Sequence, residues 1–354
     1  MPSPTPPTRL RPLLLGGLLA VAGVLGMWWS AARAERAIVE GNDAAVARTA
    51  AAYLSVVTPM AAGGSYDAPR LVSAANTVAG ASFWRGGFQM ALGSVALVAD
   101  TIQLLPLPDS VQRALEEGAA SVVTRHTRYR VTVVPLPGAQ GQTSTGWAAA
   151  WGTLPAHVRL PLAGFGAAVA LAGVGVALLA FLREPRPAWR VIEGGAALGL
   201  LAAYTLALGL AVYQTGRAST ATQLLSARRF IEIASTASGV RQARLPEIGI
   251  GLEVRALGPT GVRTDDVEWV TGSEGRRART VAATPRTQGS LELELTPVED
   301  GLGDLWRALM GWFVLGAVGL VVAGTAAGLS GSAGLFHSAG HAEGPSPGRR
   351  RKRA

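Results

Sequence analysis

Four apolar runs, each long enough to cross a lipid bilayer, constrain the fold of this chain more than any other feature of its sequence. They occupy residues 12–29, 160–182, 191–213 and 305–329. At 1.5 Å of rise per residue, helices of about 17 to 25 residues span a hydrocarbon core of about 30 Å. Buried helices of soluble proteins are seldom apolar on every face over such a length. The sequence therefore predicts an α-helical integral membrane protein with four transmembrane helices.

Positive charge is concentrated in the short segments that flank these runs. The start of the chain, the loop at 183–190 and the tail at 330–354 hold ten of the 32 basic residues, whereas the long segments 30–159 and 214–304 are nearly neutral. Basic residues flanking spans favour the cytoplasmic side. We therefore expect a multi-pass protein of the bacterial inner membrane with cytoplasmic N- and C-termini and periplasmic or extracellular large segments. The terminal RRRKR is interpreted as a topology anchor that touches anionic lipid, not as a nucleic-acid site.

The predicted organisation is an internal repeat of one module. Each half has two spans with an external domain between them. The segments in chain order are a cytoplasmic N-terminus at 1–11, span 12–29, extracytoplasmic domain 30–159, span 160–182, cytoplasmic loop 183–190, span 191–213, extracytoplasmic domain 214–304, span 305–329 and a basic, disordered cytoplasmic tail at 330–354. A signal peptide cleaved near Ala32-Arg33-Ala34 is an alternative for the first run. The Trp28-Trp29 pair favours an interfacial anchor that is retained.

Each external segment begins with a helical pattern and then changes to strand patterns. In the second segment an apolar stripe recurs at three- and four-residue steps and predicts a helix packed against its own domain or a partner. The stripe comprises Leu224, Leu225, Ala227, Phe230, Ile231 and Ala234. SLELELTP alternates leucine with polar residues, which is typical of a half-buried strand. FQMALGS and LEVRALGP occupy comparable places in the two halves, and the shared order of elements favours an internal duplication.

FWRGGFQMALGSVALVADTIQLLPLPDSV, followed by RYRVTVVPLPG and GWAAAWGTL, resembles the central sheet, loop and return strand of Cache or PAS-like domains. These are extracytoplasmic sensor domains of bacterial histidine kinases and chemoreceptors. The resemblance covers residues 31–159 and, more loosely, 214–304, and it implies two extracytoplasmic α+β domains. About 24 residues follow the last span, too few for a kinase or receptor output domain. Any output is therefore expected to lie on another protein.

If the first domain binds a small polar ligand, aromatic walls and polar groups on its sheet face are the expected contacts. The candidates are Trp84, Arg85, Gln89, Asp100, Tyr129 and Arg130. Core aromatics with surface charges are an equally good interpretation of each position.

Patterns typical of catalysis or metal binding are weak in this sequence. His337 and His341 lie four apart among glycines, with Glu343 as the one further ligand in view, and are interpreted as solvated. The acids of RTDDVEW (Asp265, Asp266 and Glu268) lack the spacing of a calcium loop. The chain contains no cysteine. We expect no enzymatic activity, no cofactor and no bound metal.

Small residues recur four apart in three of the runs and predict close helix packing. These positions are Gly164, Ala168, Ala172, Gly195, Gly199, Ala203, Gly319, Ala323, Gly324 and Gly328. Packing within the four-helix bundle is the simplest interpretation, and a homo-oligomer or a membrane-protein partner is the alternative. The sequence thus favours a non-catalytic sensor-like protein that relays a signal to a kinase, receptor or larger complex. The competing hypothesis is a structural or assembly subunit of a membrane complex.

Overall fold

Long helices form the framework of the chain, and the apolar runs lie inside them. The computed structural model describes residues 10–57, 69–70, 73, 87–92, 95–98, 108–119, 122–126, 129–135, 146–153, 160–183, 187–257, 267–273, 275–285, 289–297 and 302–339. Its helices are α1 (Leu10–Val57), α2 (Asp109–Glu116), α3 (Leu160–Arg183), α4 (Pro187–Thr236) and α5 (Gly303–Ala339). All except α2 contain a stretch long and apolar enough to cross a membrane. This is the pattern of a multi-pass membrane protein.

Two of these helices continue well beyond the predicted spans. Helix α1 has 48 residues and α4 has 50, so each extends into the external segment that follows it, as the sequence predicts. Pro187 is the first residue of α4, a position where its missing N–H costs no helical hydrogen bond. Helix α5 ends at Ala339, so residues 330–339 are helical and the prediction of disorder from residue 330 is wrong for them.

The strands form two antiparallel sheets. Strands β1 (Gly87–Leu92), β2 (Val95–Val98), β3 (Val122–His126), β4 (Tyr129–Pro135) and β5 (Gly146–Thr153) are arranged in the order β2-β1-β5-β4-β3. Strands β6 (Glu253–Leu257), β7 (Glu268–Gly272), β8 (Gly275–Thr284) and β9 (Gly289–Leu295) follow the order β6-β9-β8-β7. The strand patterns seen in both external segments are confirmed, while β3 and α2 were not predicted.

The two sheets share one strand order. Strands β1, β5, β4 and β3 are neighbours in the same sequence as β6, β9, β8 and β7, and the first sheet adds β2 at its edge. The similar sequences GFQMAL and EVRAL fall on the equivalent strands β1 and β6. This is the arrangement that an internal duplication predicts, although the duplication itself stays a prediction.

The chain divides into two compact units. The helical unit comprises Met1–Ala31, Pro161–Leu210 and Leu305–Ala354, and the sheet unit comprises Ala32–Leu160 and Ala211–Asp304. Both external segments thus belong to the sheet unit, so the structure does not establish two separate extracytoplasmic domains.

The core of the sheet unit is built on the apolar stripe of α4. Leu224, Ala227, Phe230, Ile231 and Ala234 are buried, which confirms the predicted packing face, and Leu225 is half-buried. They pack with the end of α1 and with the inner faces of β8 and β9. The rings of Tyr53 and Phe230 lie 5.4 Å apart, and burial raises the pKa of Tyr53 to about 12.

Candidate functional site

The predicted ligand residues of the first segment are only partly placed by the structure. Trp84, Arg85 and Asp100 lie outside the described residues. Gln89 on β1 pairs with Ala149 of β5. On the other side of β5, Tyr129 and Arg130 of β4 pair with Thr153 and Gly152.

The register separates these three positions. At about 3.4 Å per residue, Gln89 lies about 10 to 14 Å along the sheet from Tyr129 and Arg130. Because alternate residues of a strand belong to opposite faces, Gln89 and Tyr129 share one face and Arg130 belongs to the other. A ligand site at these residues stays a prediction.

Helices α1 and α5 approach each other closely in the helical unit. A Cβ atom added at Gly16 would lie 2.5 Å from the carbonyl oxygen of Gly319, and one at Gly319 would lie 2.6 Å from that of Gly16. One to two turns further along, a Cβ atom added at Gly23 would lie 2.8 Å from the Cα atom of Gly316. Ala20 lies between these contacts and is fully buried, and so is Ala323, whose Cβ would lie 2.9 Å from a Cβ added at Gly16. Gly319 and Ala323, two of the predicted packing positions, thus lie at the contact between α1 and α5.

The partners of Gly319 on α1 were not predicted. Gly16, Ala20 and Gly23 lie at i, i+4 and i+7, so they share one helix face, and their spacing is the signal that a search for small residues in the first run would have used. A Cβ atom added at Gly324 would lie 3.4 Å from the Phe181 ring. The surroundings of Gly328 are outside what the structure describes.

Two other small-residue rows do not pack against a helix of this chain among the described residues. Gly195, Gly199 and Ala203 on α4 are exposed, as are Gly164, Ala168 and Ala172 on α3. In the described part of the chain, a Cβ added at Gly164, Gly195 or Gly199 would meet no heavy atom within 4 Å beyond its own helix backbone.

Helix α3 uses a different face, since Gly166 lies against Tyr204 and Gly173 against Leu200. The rows at 164–172 and 195–203 thus do not pack within the bundle as expected. Helices α3 and α4 are rotated so that these rows are exposed and other faces contact the neighbouring helices.

The outer face of the second sheet carries a network of glutamates and arginines. Glu294 of β9 is only 4% exposed, although its strand was predicted to be half-buried with its glutamates in water. Arg279 Nη2 donates to Glu294 Oε1 at 2.8 Å, and Arg277 Nη1 lies 3.5 Å from Oε2. Arg255 lies 3.8 Å from the same carboxylate. The arginine side chains therefore cover Glu294, and β9 is buried on both faces.

Two further glutamates extend this network to the edge strand β6. Arg279 also pairs with Glu292 at 2.7 Å, and Arg277 pairs with Glu253 at 2.7 Å. The hydrogen bond from Arg277 is the main cause that lowers the pKa of the Glu253 carboxyl. The network joins β6, β8 and β9 and is best explained as a stabilising element of the sheet.

Replacing Glu294 with glutamine should lower the free energy of unfolding by about 2 kcal/mol, because three partly buried charge-assisted hydrogen bonds from Arg277 and Arg279 are weakened while the arginines stay in place. Chemical unfolding of the full chain in mild detergent measures the effect. Glu247→Gln is the matched control, since its pair with Arg244 is exposed and should contribute less than about 1 kcal/mol. Equal stability of the two variants would contradict a supporting role for the network.

A second cluster lies where α4 meets the β7–β8 hairpin. The guanidinium carbons of Arg217 and Arg276 lie 4.4 and 5.1 Å from the ring centroid of Trp269. Arg276 also donates a hydrogen bond to the hydroxyl of Tyr213. Tyr213 and Arg217 are four residues apart and therefore share one face of α4. All four side chains are half-buried.

Neither arginine of this cluster forms an ion pair with a carboxylate among the described residues. Two guanidinium charges beside one ring repel each other. Each cation–π contact contributes about 0.5 to 1 kcal/mol in return. This cluster, Tyr213, Arg217, Trp269 and Arg276, is called the Arg-Trp cluster below. The sequence did not reveal it, because its members are up to 63 residues apart along the chain.

The histidines and acids considered as metal ligands do not come together where the structure describes them. His337 lies in the helix α5, whereas His341, Asp265 and Asp266 lie outside the described residues. Glu268 is the first residue of β7. Within the described ranges, no three potential metal ligands come together.

Comparison with known proteins gives no relative. No protein-family model, no curated protein and no solved structure matches this chain. The structure and its chemistry are therefore the basis for a function.

Proposed function

We propose that this chain is a non-catalytic, sensor-like protein of the bacterial inner membrane. Its external segments detect an envelope signal or a small ligand, and its helices pass the change to a separate membrane partner. The proposal retains the topology expected from charge, with both termini in the cytoplasm and residues 30–159 and 214–304 outside.

The observation that carries this proposal is the continuity of α1 and α4. Helix α1 supplies Ala20 to the core of the helical unit and Leu54 to the core of the sheet unit. Helix α4 likewise supplies Ala197 to the first core and Phe230 to the second. Small shifts of packed helices are a common means of transmitting a change between sites. The resemblance to Cache or PAS-like sensor domains remains part of this proposal.

Purification of the tagged full chain from its native membrane in mild detergent, followed by mass spectrometry, tests the relay. The proposal expects a co-purifying protein that carries an output domain, such as a histidine kinase, a chemoreceptor or a transcriptional regulator. Stoichiometric recovery of many subunits of one large assembly, without any output domain, would contradict it.

A structural or assembly role is the second candidate, and the exposed small-residue row Gly195, Gly199 and Ala203 favours it. Such a row allows a helix of another chain to approach closely. Replacing Gly199 with leucine should then release the co-purifying subunits. A sensor that contacts its partner elsewhere should keep its partner in this variant.

A further inference from the structure

We propose that the Arg-Trp cluster binds a phosphate group. Its two guanidiniums lie within 5.1 Å of the same indole ring, and one of them also holds the Tyr213 hydroxyl. The site is independent of the sensor role, because it follows from the charge and geometry of these four residues alone.

The chemistry of the cluster fits an oxyanion. Guanidinium groups present several N–H donors in a planar fork that matches phosphate oxygens. The Tyr213 hydroxyl adds a donor, and both guanidiniums contact the same Trp269 ring. Since Arg217 and Arg276 have no carboxylate partner among the described residues, their charges are available to a ligand. By contrast, Arg277 and Arg279 on the same strand are paired with Glu253, Glu292 and Glu294.

The position of the cluster along α4 indicates a source for the phosphate. Tyr213 is the last residue of the predicted third span, and Arg217 lies one turn, about 6 Å, beyond it. Tyrosine, tryptophan and arginine at this depth lie at the level of lipid headgroups. A phospholipid headgroup is the source that this placement favours, and a soluble phosphate compound shares the same chemistry.

The test uses the purified full chain in a neutral detergent, with phosphatidylglycerol and inorganic phosphate as separate probes. Native mass spectrometry counts bound lipid, and thermal shift follows phosphate. Arg217→Gln combined with Arg276→Gln should weaken binding at least about 10-fold, since two charge-assisted contacts are lost. Arg255→Gln is the matched control, because Arg255 is 60% exposed and paired with Glu253. It should bind as the wild type does.

Each outcome decides the proposal. Loss of phosphatidylglycerol alone identifies a headgroup site, and loss of inorganic phosphate alone identifies a soluble ligand. Equal binding of both probes by the wild type and the double glutamine variant overturns the site.

Two further variants serve as controls. One applies if the double variant does not fold, and the other tests whether a carboxylate of the chain itself fills the site. Arg276→Gln alone keeps the contact between Arg217 and Trp269 and should weaken binding about 3-fold or more, so it reports on the site if the double variant does not fold, and unchanged binding overturns the site. Glu274, between β7 and β8, lies outside the described residues. If phosphate binds only after Glu274→Gln, the chain's own carboxylate fills the site and the proposal is overturned.

Discussion

Replacing Phe230 with alanine should lower the free energy of unfolding by about 3 to 5 kcal/mol. Phe230 is 1% exposed and packs against Tyr53 in the core of the sheet unit. Truncation removes its buried ring and leaves a cavity that its helical neighbours fill only in part. Unfolding in mild detergent measures the loss. Hydrogen exchange should also accelerate in β8 and β9, whose inner faces line the same core.

Phe165→Ala is the matched control for this prediction, because Phe165 on α3 is 70% exposed and loses little packing on truncation. A Phe230 variant as stable as the Phe165 variant would show that α4 does not pack against the sheet. The proposed relay would then lose its physical basis.

Replacing Gly319 with alanine should destabilise the helical unit by about 1 to 3 kcal/mol. The added Cβ would lie 2.6 Å from the Gly16 carbonyl oxygen and 2.7 Å from the Ala20 backbone nitrogen. Backbone atoms cannot rotate away as a side chain can, so α1 and α5 must separate and lose contacts along their length. The thermal midpoint in detergent and the protease sensitivity of α1 report this separation.

Gly199→Ala provides the same chemical change at a site where the new methyl group meets no atom within 4 Å. Alanine is also the better helix former, by about 1 kcal/mol. The Gly199 variant should therefore be as stable as the wild type or slightly more stable. A smaller loss at Gly319 than at Gly199 would contradict the α1–α5 crossing.

The elements of the fold could be predicted from the sequence where the signal is local. The apolar runs define the spanning helices by length and composition, and the three- and four-residue spacing around Phe230 defines the buried face of α4. The alternation in SLELELTP predicts β9. Its burial could not be predicted, because the arginines that cover Glu294 come from neighbouring strands.

The candidate sites depended on contacts between distant parts of the chain. The step from Gly195 to Gly199 and that from Gly319 to Ala323 look alike in sequence, yet only the second meets another helix, Gly16 on α1. Which small-residue step meets another helix depends on how each helix is rotated about its axis. The spacing of residues within one helix carries no information about that rotation. The Arg-Trp cluster likewise needs the β7–β8 hairpin to lie beside α4.

Cysteine accessibility is the most direct test of the four-span arrangement, and the native chain contains no cysteine to confuse it. Single cysteines would replace Glu117, exposed after α2, and Gln242, exposed after α4. A third would replace Glu184 in the predicted cytoplasmic loop. In intact cells with a permeable outer envelope, a membrane-impermeant maleimide should label positions 117 and 242 but label position 184 only after the membrane is opened. Labelling of 117 and 242 from opposite sides would contradict the arrangement.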